Sequence, residues 1–97
     1  MNMRFITEKS SSNVVVTDVF SKLLQDRIIF IDGDITDNLA NSVISQLLYL
    51  DSLKNDEITI YINSYGGSVY DGLGIIDVMS LVKSPVKTVI LGKAMSM

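Results

Sequence analysis

Two short stretches of this 97-residue chain carry residues that could do chemistry: Gly66-Gly67, after an apolar run ending at Ile62, and Ser96, after another ending at Leu91. Glycines reach positive φ and let backbone approach closely, so consecutive N–H groups of such a loop can converge on an anion. A serine hydroxyl at a strand end, beside the first N–H groups of a following helix, can be a nucleophile once a base takes its proton. Each stretch also has a plainer reading: Gly66-Gly67 as a tight strand-to-helix turn, and Ser96 as a helix cap. The loop is not a phosphate loop, because no Lys-Ser or Lys-Thr pair follows its glycines, and it does not fit Gly-x-Gly-x-x-Gly.

The sequence contains no histidine and no cysteine. A complete Ser-His-Asp site within these residues is therefore excluded, zinc chemistry is close to excluded, and there is no disulfide framework. Eight basic residues against eleven acidic ones leave a net charge of -3, and the basic residues are scattered without a stripe. Phosphate neutralisation is thus disfavoured, and no nucleic-acid partner is expected. A hydrophobic content of 47% with 20% charged residues describes one globular domain or part of one. No segment approaches the roughly 18 apolar residues of a membrane helix, and the start lacks a secretory apolar stretch. The expectation is a soluble cytoplasmic protein without a membrane partner.

Apolar periodicity indicates the elements that must position these groups. Residues 8–13 are polar and serine-rich, with neither helical nor strand period. Residues 1–17 therefore read as a flexible N-terminal segment, and 18–97 as the folded unit. Asp18 can cap a short helix whose Val19, Phe20, Leu23 and Leu24 share a face. Arg27-Ile28-Ile29-Phe30-Ile31 follows as a strand, with Asp32-Gly33 as its turn. Thr36-Asp37 opens a long amphipathic helix in which Leu39, Val43 and Leu47, with Ala40, Ile44 and Leu48, recur at i and i+4, ending near Lys54. Residues 58–62 form a β-branched strand of the kind buried in parallel sheets. A second long helix over 69–82 presents Leu73, Ile76 and Met79, and Ser84-Pro85 closes it. Residues 86–91 form a third strand.

Strand, helix, strand, helix, strand with short connections predicts a parallel α/β arrangement with right-handed crossovers. In such sheets ligands lie outside the carboxyl ends of the strands, where both candidate loops emerge. The sequence stops at Met97, just past a strand without its crossover helix, so a truncated domain with uncovered apolar surface is expected.

Several segments, taken in order, resemble the proteolytic subunit of the Clp protease family. They are Arg27-Ile28-Ile29-Phe30-Ile31, the helix from Asn38-Leu39-Ala40-Asn41 to Leu50, Tyr61-Ile62-Asn63-Ser64-Tyr65-Gly66-Gly67-Ser68-Val69, Asp77-Val78-Met79 and Gly92-Lys93-Ala94-Met95-Ser96-Met97. The likeness runs from about Asp18 to the last residue with the family's spacing. It implies a Clp-protease/crotonase-like spiral of strand-helix-strand units on a mostly parallel sheet, here truncated. By that resemblance Ser96 is the nucleophile, and the backbone N–H groups of Gly67 and Met97 form the oxyanion hole. The implied reaction is serine-type endopeptidase cleavage of unfolded polypeptide through an acyl-enzyme, with no metal or cofactor.

The implied partners are a Clp-type ATP-dependent unfoldase and further identical subunits in stacked heptameric rings. Tyr61, Leu81, Val89 and Leu91 match an apolar pocket that docks unfoldase loops, and residues 8–13 resemble the family's axial-pore segment. Apolar residues on strands are equally ordinary core. The family's His and Asp lie in a later part of the subunit, which these residues do not contain.

Three positions depart from the family's pattern. Tyr65 stands where proline is usual, so the oxyanion loop loses a fixed φ. Met95 replaces a small residue beside the nucleophile, and Lys93 takes a position that is commonly an amide. Two classes of function follow: the N-terminal portion of an active peptidase subunit, or a truncated, catalytically inactive subunit or fragment that at most binds other subunits. Signal-peptide peptidases with a Ser/Lys dyad and phage prohead proteases share an Asn-Ser-x-Gly-Gly loop, and Lys93 invites the dyad, but the likeness of residues 18–50 favours the Clp subunit. A crotonase-type acyl-CoA enzyme shares the oxyanion logic and needs no nucleophilic serine.

Overall fold

The computed structural model describes residues 5–10 and 13–97. Strands β1 (Phe5–Ser10) and β2 (Asn13–Asp18) pair antiparallel, from Phe5 opposite Asp18 to Ser10 opposite Asn13. Polar residues that showed no strand period are thus strand residues. Main-chain pairing with the β-branched stretch Val14-Val15-Val16-Thr17 holds them without any alternation of their own. Residues 1–4 and 11–12 of the N-terminal segment lie outside the described residues.

Asp18 caps α1 (Val19–Gln25) as its place before an apolar run predicts. Its Oδ1 accepts from the Ser21 N–H at 2.8 Å, satisfying one of the donors a helix start leaves unpaired. Beyond α1, strands β3 (Ile28–Asp32), β4 (Ile58–Ser64) and β5 (Val86–Ala94) form a parallel sheet in the order β3-β4-β5. Helix α2 (Asp37–Leu53), capped by the Thr36 hydroxyl at 3.2 Å from the Leu39 N–H, joins the first two strands, and α3 (Val69–Leu81) joins the second and third. The parallel α/β order read from the sequence is the one observed.

One sheet face holds the core. Ile29, Ile31, Ile58 and Ile60 are buried beneath Ala40, Val43, Leu47 and Leu50 of α2 and Ile75 of α3. Each fully buried Leu or Ile contributes about 1.5–3 kcal/mol as an upper estimate. On the opposite face Phe30 stacks on Tyr61 at 5.4 Å between centroids, and Phe20 of α1 meets Phe30 edge-on at 6.0 Å. Such pairs add to area burial through their quadrupoles.

Two helix faces differ from their periodicity. Leu48 is exposed, and Leu50 takes the buried place in the last turns of α2. In α3 the buried residues are Gly72 and Ile75, whereas Leu73 and Ile76 face outward. Leu73, Ile75, Ile76, Val78 and Met79 are apolar nearly all round that helix, so its pattern selects no face. Close approach at Gly72 decides it: an added Cβ there would lie 2.5 Å from Met97 Cγ.

The carboxyl end of α2 is tied to the α3–β5 connection. Asp51 Oδ1 accepts from the Ser84 hydroxyl at 2.7 Å, the Ser84 N–H at 2.9 Å and the Lys83 N–H at 3.2 Å. The Ser84 hydroxyl first, then these amides, hold the Asp51 carboxyl below its ordinary value of 3.8, since the bonds favour the charged form. A depressed folded-state value means that this stabilisation is complete above the unfolded value and is lost as pH falls through the folded one. Urea unfolding followed from about pH 6 to about pH 2 should show a falling midpoint whose acid slope is shallower in Asp51→Asn. An unchanged slope would show that the Asp51 charge is not linked to folding.

Candidate active site

The two chemistry-bearing stretches are brought side by side by the β4–β5 pair. Its register is regular from Ile58 opposite Val86 to Ile62 opposite Ile90, and then shifts so that Ser64 faces Ala94. One residue of β4, Asn63, thus opposes Leu91, Gly92 and Lys93. The bulge swings the end of β5 across the end of β4, a common device for aiming a side chain at a sheet rim. The Met95 N–H then donates to the Ser64 carbonyl at 3.1 Å, which carries the strand pairing up to the serine.

Gly66 and Ser96 are in contact. A Cβ built at Gly66 would lie 2.5 Å from the Met95 carbonyl oxygen, 2.7 Å from Ser96 Cβ and 2.8 Å from the Met97 nitrogen, and Gly66 holds φ at +102°. Ser96 itself has φ +50°, a left-handed conformation that few side-chain-bearing residues adopt. Such strain costs on the order of 1–3 kcal/mol and persists where surrounding structure imposes it, often at functional turns. Ser96 is exposed, which leaves its hydroxyl reachable.

The glycine loop is fixed from its other side. The Ile35 N–H donates to the Gly66 carbonyl and the Ser68 N–H donates to the Ile35 carbonyl, each at 2.9 Å, which forms a parallel bridge between Ile35 and Gly67. In such a bridge the N–H of the central residue points away from its partner. The Gly67 N–H accordingly points away from Ile35, and no described residue accepts from it. Ser64, 2% exposed, bonds through Oγ to the Gly66 N–H at 3.0 Å. Ser68 caps α3, so the helix's positive end lies next to the loop. Ser64, Ser68 and the Ile35 bridge escaped sequence reading. A serine directly before α3, with Asp71 three residues on, marks a cap, but no local pattern points to Ile35.

The arrangement offers a strained serine and an unpaired N–H, with Met97 following on the same turn. An apolar cavity of about 260 Å³, walled by Ile60, Ile75, Met79 and Met97 among others, borders it beneath α3. Among the described residues no side chain bonds to the Ser96 hydroxyl, and with no histidine present none can serve as an imidazole base. Lys93 is engaged elsewhere: its Nζ donates to Asn63 Oδ1 at 2.8 Å and lies 4.6 Å from the Tyr65 ring centroid. That geometry disfavours a Ser/Lys dyad. No group of three or more potential metal-ligating residues occurs among the described residues, and no helix there is long and apolar enough to cross a membrane.

Of the residues matched to a docking pocket, Tyr61 and Val89 are register partners, and Leu91 lies two places farther on the same strand as Val89. All three belong to the sheet face that carries Phe30. Leu81 ends α3, which packs on the opposite face through Ile75. Within one chain the structure groups three of the four.

Gly66→Ala should displace the Ser96 turn, because the three atoms it meets are mostly backbone. For the nucleophile role that the resemblance implies, acylation of Ser96 by a fluorophosphonate probe in the natural polypeptide that contains these residues is expected to slow by about 10²-fold, the effect of an ångström-scale misplacement. Gly33→Ala is the control, since Gly33 also has positive φ but no atom within 4 Å of an added Cβ. Equal labelling of the two variants would show that the contact does not position the serine.

Comparison with known proteins places these features in context. The family model described as Clp protease matches residues 10–97. The chain is 46% identical over 93 residues to the ATP-dependent Clp protease proteolytic subunit of Streptococcus salivarius and 48% identical over 93 residues to that of Streptococcus mutans. Each alignment covers 95% of this chain and 47% of the relative, so the chain spans about half the length of the curated relatives it matches.

Proposed function

The chain belongs to the Clp protease family, and from that premise we propose that it supplies the nucleophile and oxyanion loop of a serine endopeptidase. Its substrates are unfolded polypeptides delivered by a Clp-type ATP-dependent unfoldase in the cytoplasm. The observation that carries this reading is the contact between a left-handed Ser96 and Gly66. A helix N-cap takes extended dihedrals instead, so a plain capping role does not account for this conformation.

In this mechanism Ser96 Oγ attacks the scissile carbonyl carbon as its proton passes to a base. The charge that forms on the carbonyl oxygen is taken by the Gly67 N–H, which has no internal acceptor among the described residues, and by the Met97 N–H. One oxyanion donor is worth about 10²–10³ in rate. Collapse expels the amine with the transferred proton and leaves an acyl ester on Ser96, which water then cleaves. The base and its orienting carboxylate are assigned to a His and an Asp outside residues 1–97, as the resemblance implies. Identical subunits assemble into stacked heptameric rings, residues 1–17 line the axial entrance, and Tyr61, Val89 and Leu91 meet the unfoldase together with Leu81.

The absence of histidine favours a second reading, an inactive subunit that only binds its neighbours. One experiment separates the two. The natural polypeptide that contains these residues is purified at whatever length it has in the cell, and is exposed to a fluorophosphonate probe. Labelling confined to the peptide bearing Ser96 supports the peptidase. A folded polypeptide that stays unlabelled supports the inactive subunit and sinks the first reading.

A further inference from the structure

We propose that Lys93 is a positioning residue that locks the oxyanion loop to the nucleophile strand by clamping Asn63 and Tyr65 together. This deepens the peptidase reading and rests on it. The observations are geometric. Lys93 sits in the bulge that sets Ser96 against Gly66, where Asn63 alone opposes Leu91, Gly92 and Lys93. A bulge leaves residues unpaired and disrupts the ladder locally, so fewer main-chain bonds fix the end of β5 that carries Ser96. Lys93 closes the gap by donating from Nζ to Asn63 Oδ1 at 2.8 Å. Gly92, at φ +80°, would place a Cβ 3.6 Å from the same Asn63 oxygen, so the bulge folds around that side chain.

The same ammonium reaches across to the loop itself. Nζ lies 4.6 Å from the centroid of the Tyr65 ring, within the range of a cation–π contact. Tyr65 is 66% exposed and immediately precedes Gly66, so apart from this contact its ring has little to hold it. Asn63 and Tyr65 flank Ser64, whose buried hydroxyl holds the Gly66 N–H. One cation therefore grips the residues on both sides of the serine that anchors the glycine loop. Tyr65 and Lys93 are two of the three positions at which the sequence departs from the pattern it resembles, and the structure shows them in contact. The lost φ restriction at Tyr65 is replaced by a contact supplied from β5.

The test uses the natural polypeptide, four single variants and one double variant. Lys93→Met removes both contacts, Tyr65→Leu removes only the ring, and Lys93→Arg and Tyr65→Phe keep the chemistry. Lys93→Met is expected to lower the acylation rate constant of Ser96 by about tenfold at unchanged probe affinity, less than the ~10²-fold of an outright ångström displacement. Lys93→Arg and Tyr65→Phe should retain the rate. In the Tyr65→Leu background, Lys93→Met should have a smaller effect than it has alone, the signature of a shared interaction. Amide exchange at Gly66 and Ile35, whose N–H groups tie down the loop, should rise severalfold in Lys93→Met. A Lys93→Met protein with unchanged exchange overturns the clamp, and unchanged acylation overturns its positioning role. If the unsubstituted protein does not acylate, the peptidase reading and the positioning role fall together, while amide exchange still decides the clamp.

Discussion

Ser96→Ala is expected to lower peptide hydrolysis by the natural polypeptide roughly 10⁶-fold, the scale seen when a catalytic serine is removed from a working triad. Neighbouring hydroxyls cannot stand in for it. Ser64 Oγ is buried and bonded to the Gly66 N–H at 3.0 Å, and Ser68 Oγ accepts from the Asp71 N–H at 3.3 Å as the cap of α3. Neither can turn into the cleft without releasing the glycine loop or the helix start. Residual activity should be only what the oxyanion donors and substrate binding supply, about 10³–10⁴ over water. Steady-state hydrolysis of a short peptide measures this. A variant that keeps more than a tenth of the activity would place the nucleophile elsewhere and end the role proposed for Ser96.

Arg27→Met is expected to destabilise the fold by about 2–3 kcal/mol, the scale of losing hydrogen bonds from a charged donor, which is a large share of the 5–15 kcal/mol typical of a domain. Arg27 is 7% exposed, with φ +63°, and among the described residues no carboxylate pairs with its guanidinium. The guanidinium is held by oxygen atoms of five residues in three parts of the chain. Nε donates to the carbonyls of Asp56 and Glu57, at 3.2 and 3.3 Å, and Nη1 donates to that of Leu50 at 3.0 Å. Nη2 donates to the Asp56 carbonyl at 2.8 Å, the Lys54 carbonyl at 2.9 Å and Ser84 Oγ at 3.1 Å. The Leu50 and Lys54 carbonyls belong to the last turn and cap of α2, the negative end of its dipole, which explains how a buried cation is tolerated without an anion. Removing it strips a donor from the partly buried Lys54, Asp56 and Glu57 carbonyls and from the buried Leu50 carbonyl. Arg27→Lys should recover only part of the loss, because an ammonium cannot span this fork of acceptors. Urea unfolding midpoints at constant m-value measure both. A loss below about 1 kcal/mol in Arg27→Met would show that water replaces the guanidinium at little cost.

The elements with a strong local signal were legible in the sequence. Asp18 and Thr36 cap helices because a short oxygen-bearing side chain ahead of an apolar stripe has a donor to satisfy. The β-branched runs at Ile58 and Val86 form strands because such side chains suit a pleated surface, and they pair parallel because α2 and α3 join strands in one direction. Elements whose pattern is degenerate were not legible. Nearly every side of α3 is apolar, so its buried face depended on Gly72 meeting Met97. Arg27 looked like the first residue of a strand, and its acceptors, up to 57 positions away, leave no local trace.

By itself, then, the sequence determined the residue types of the candidate site, the order of its loops, and the limit that no histidine stands among them. Tertiary structure alone decided that Gly66 touches Ser96, that Ile35 bridges Gly67, and that Lys93 bonds to Asn63 rather than to the serine. The physical reason is that side-chain chemistry and periodicity are written locally, whereas a contact across a bulged strand pair depends on register. Register is settled only when the apolar faces of β4, α2 and α3 are buried together.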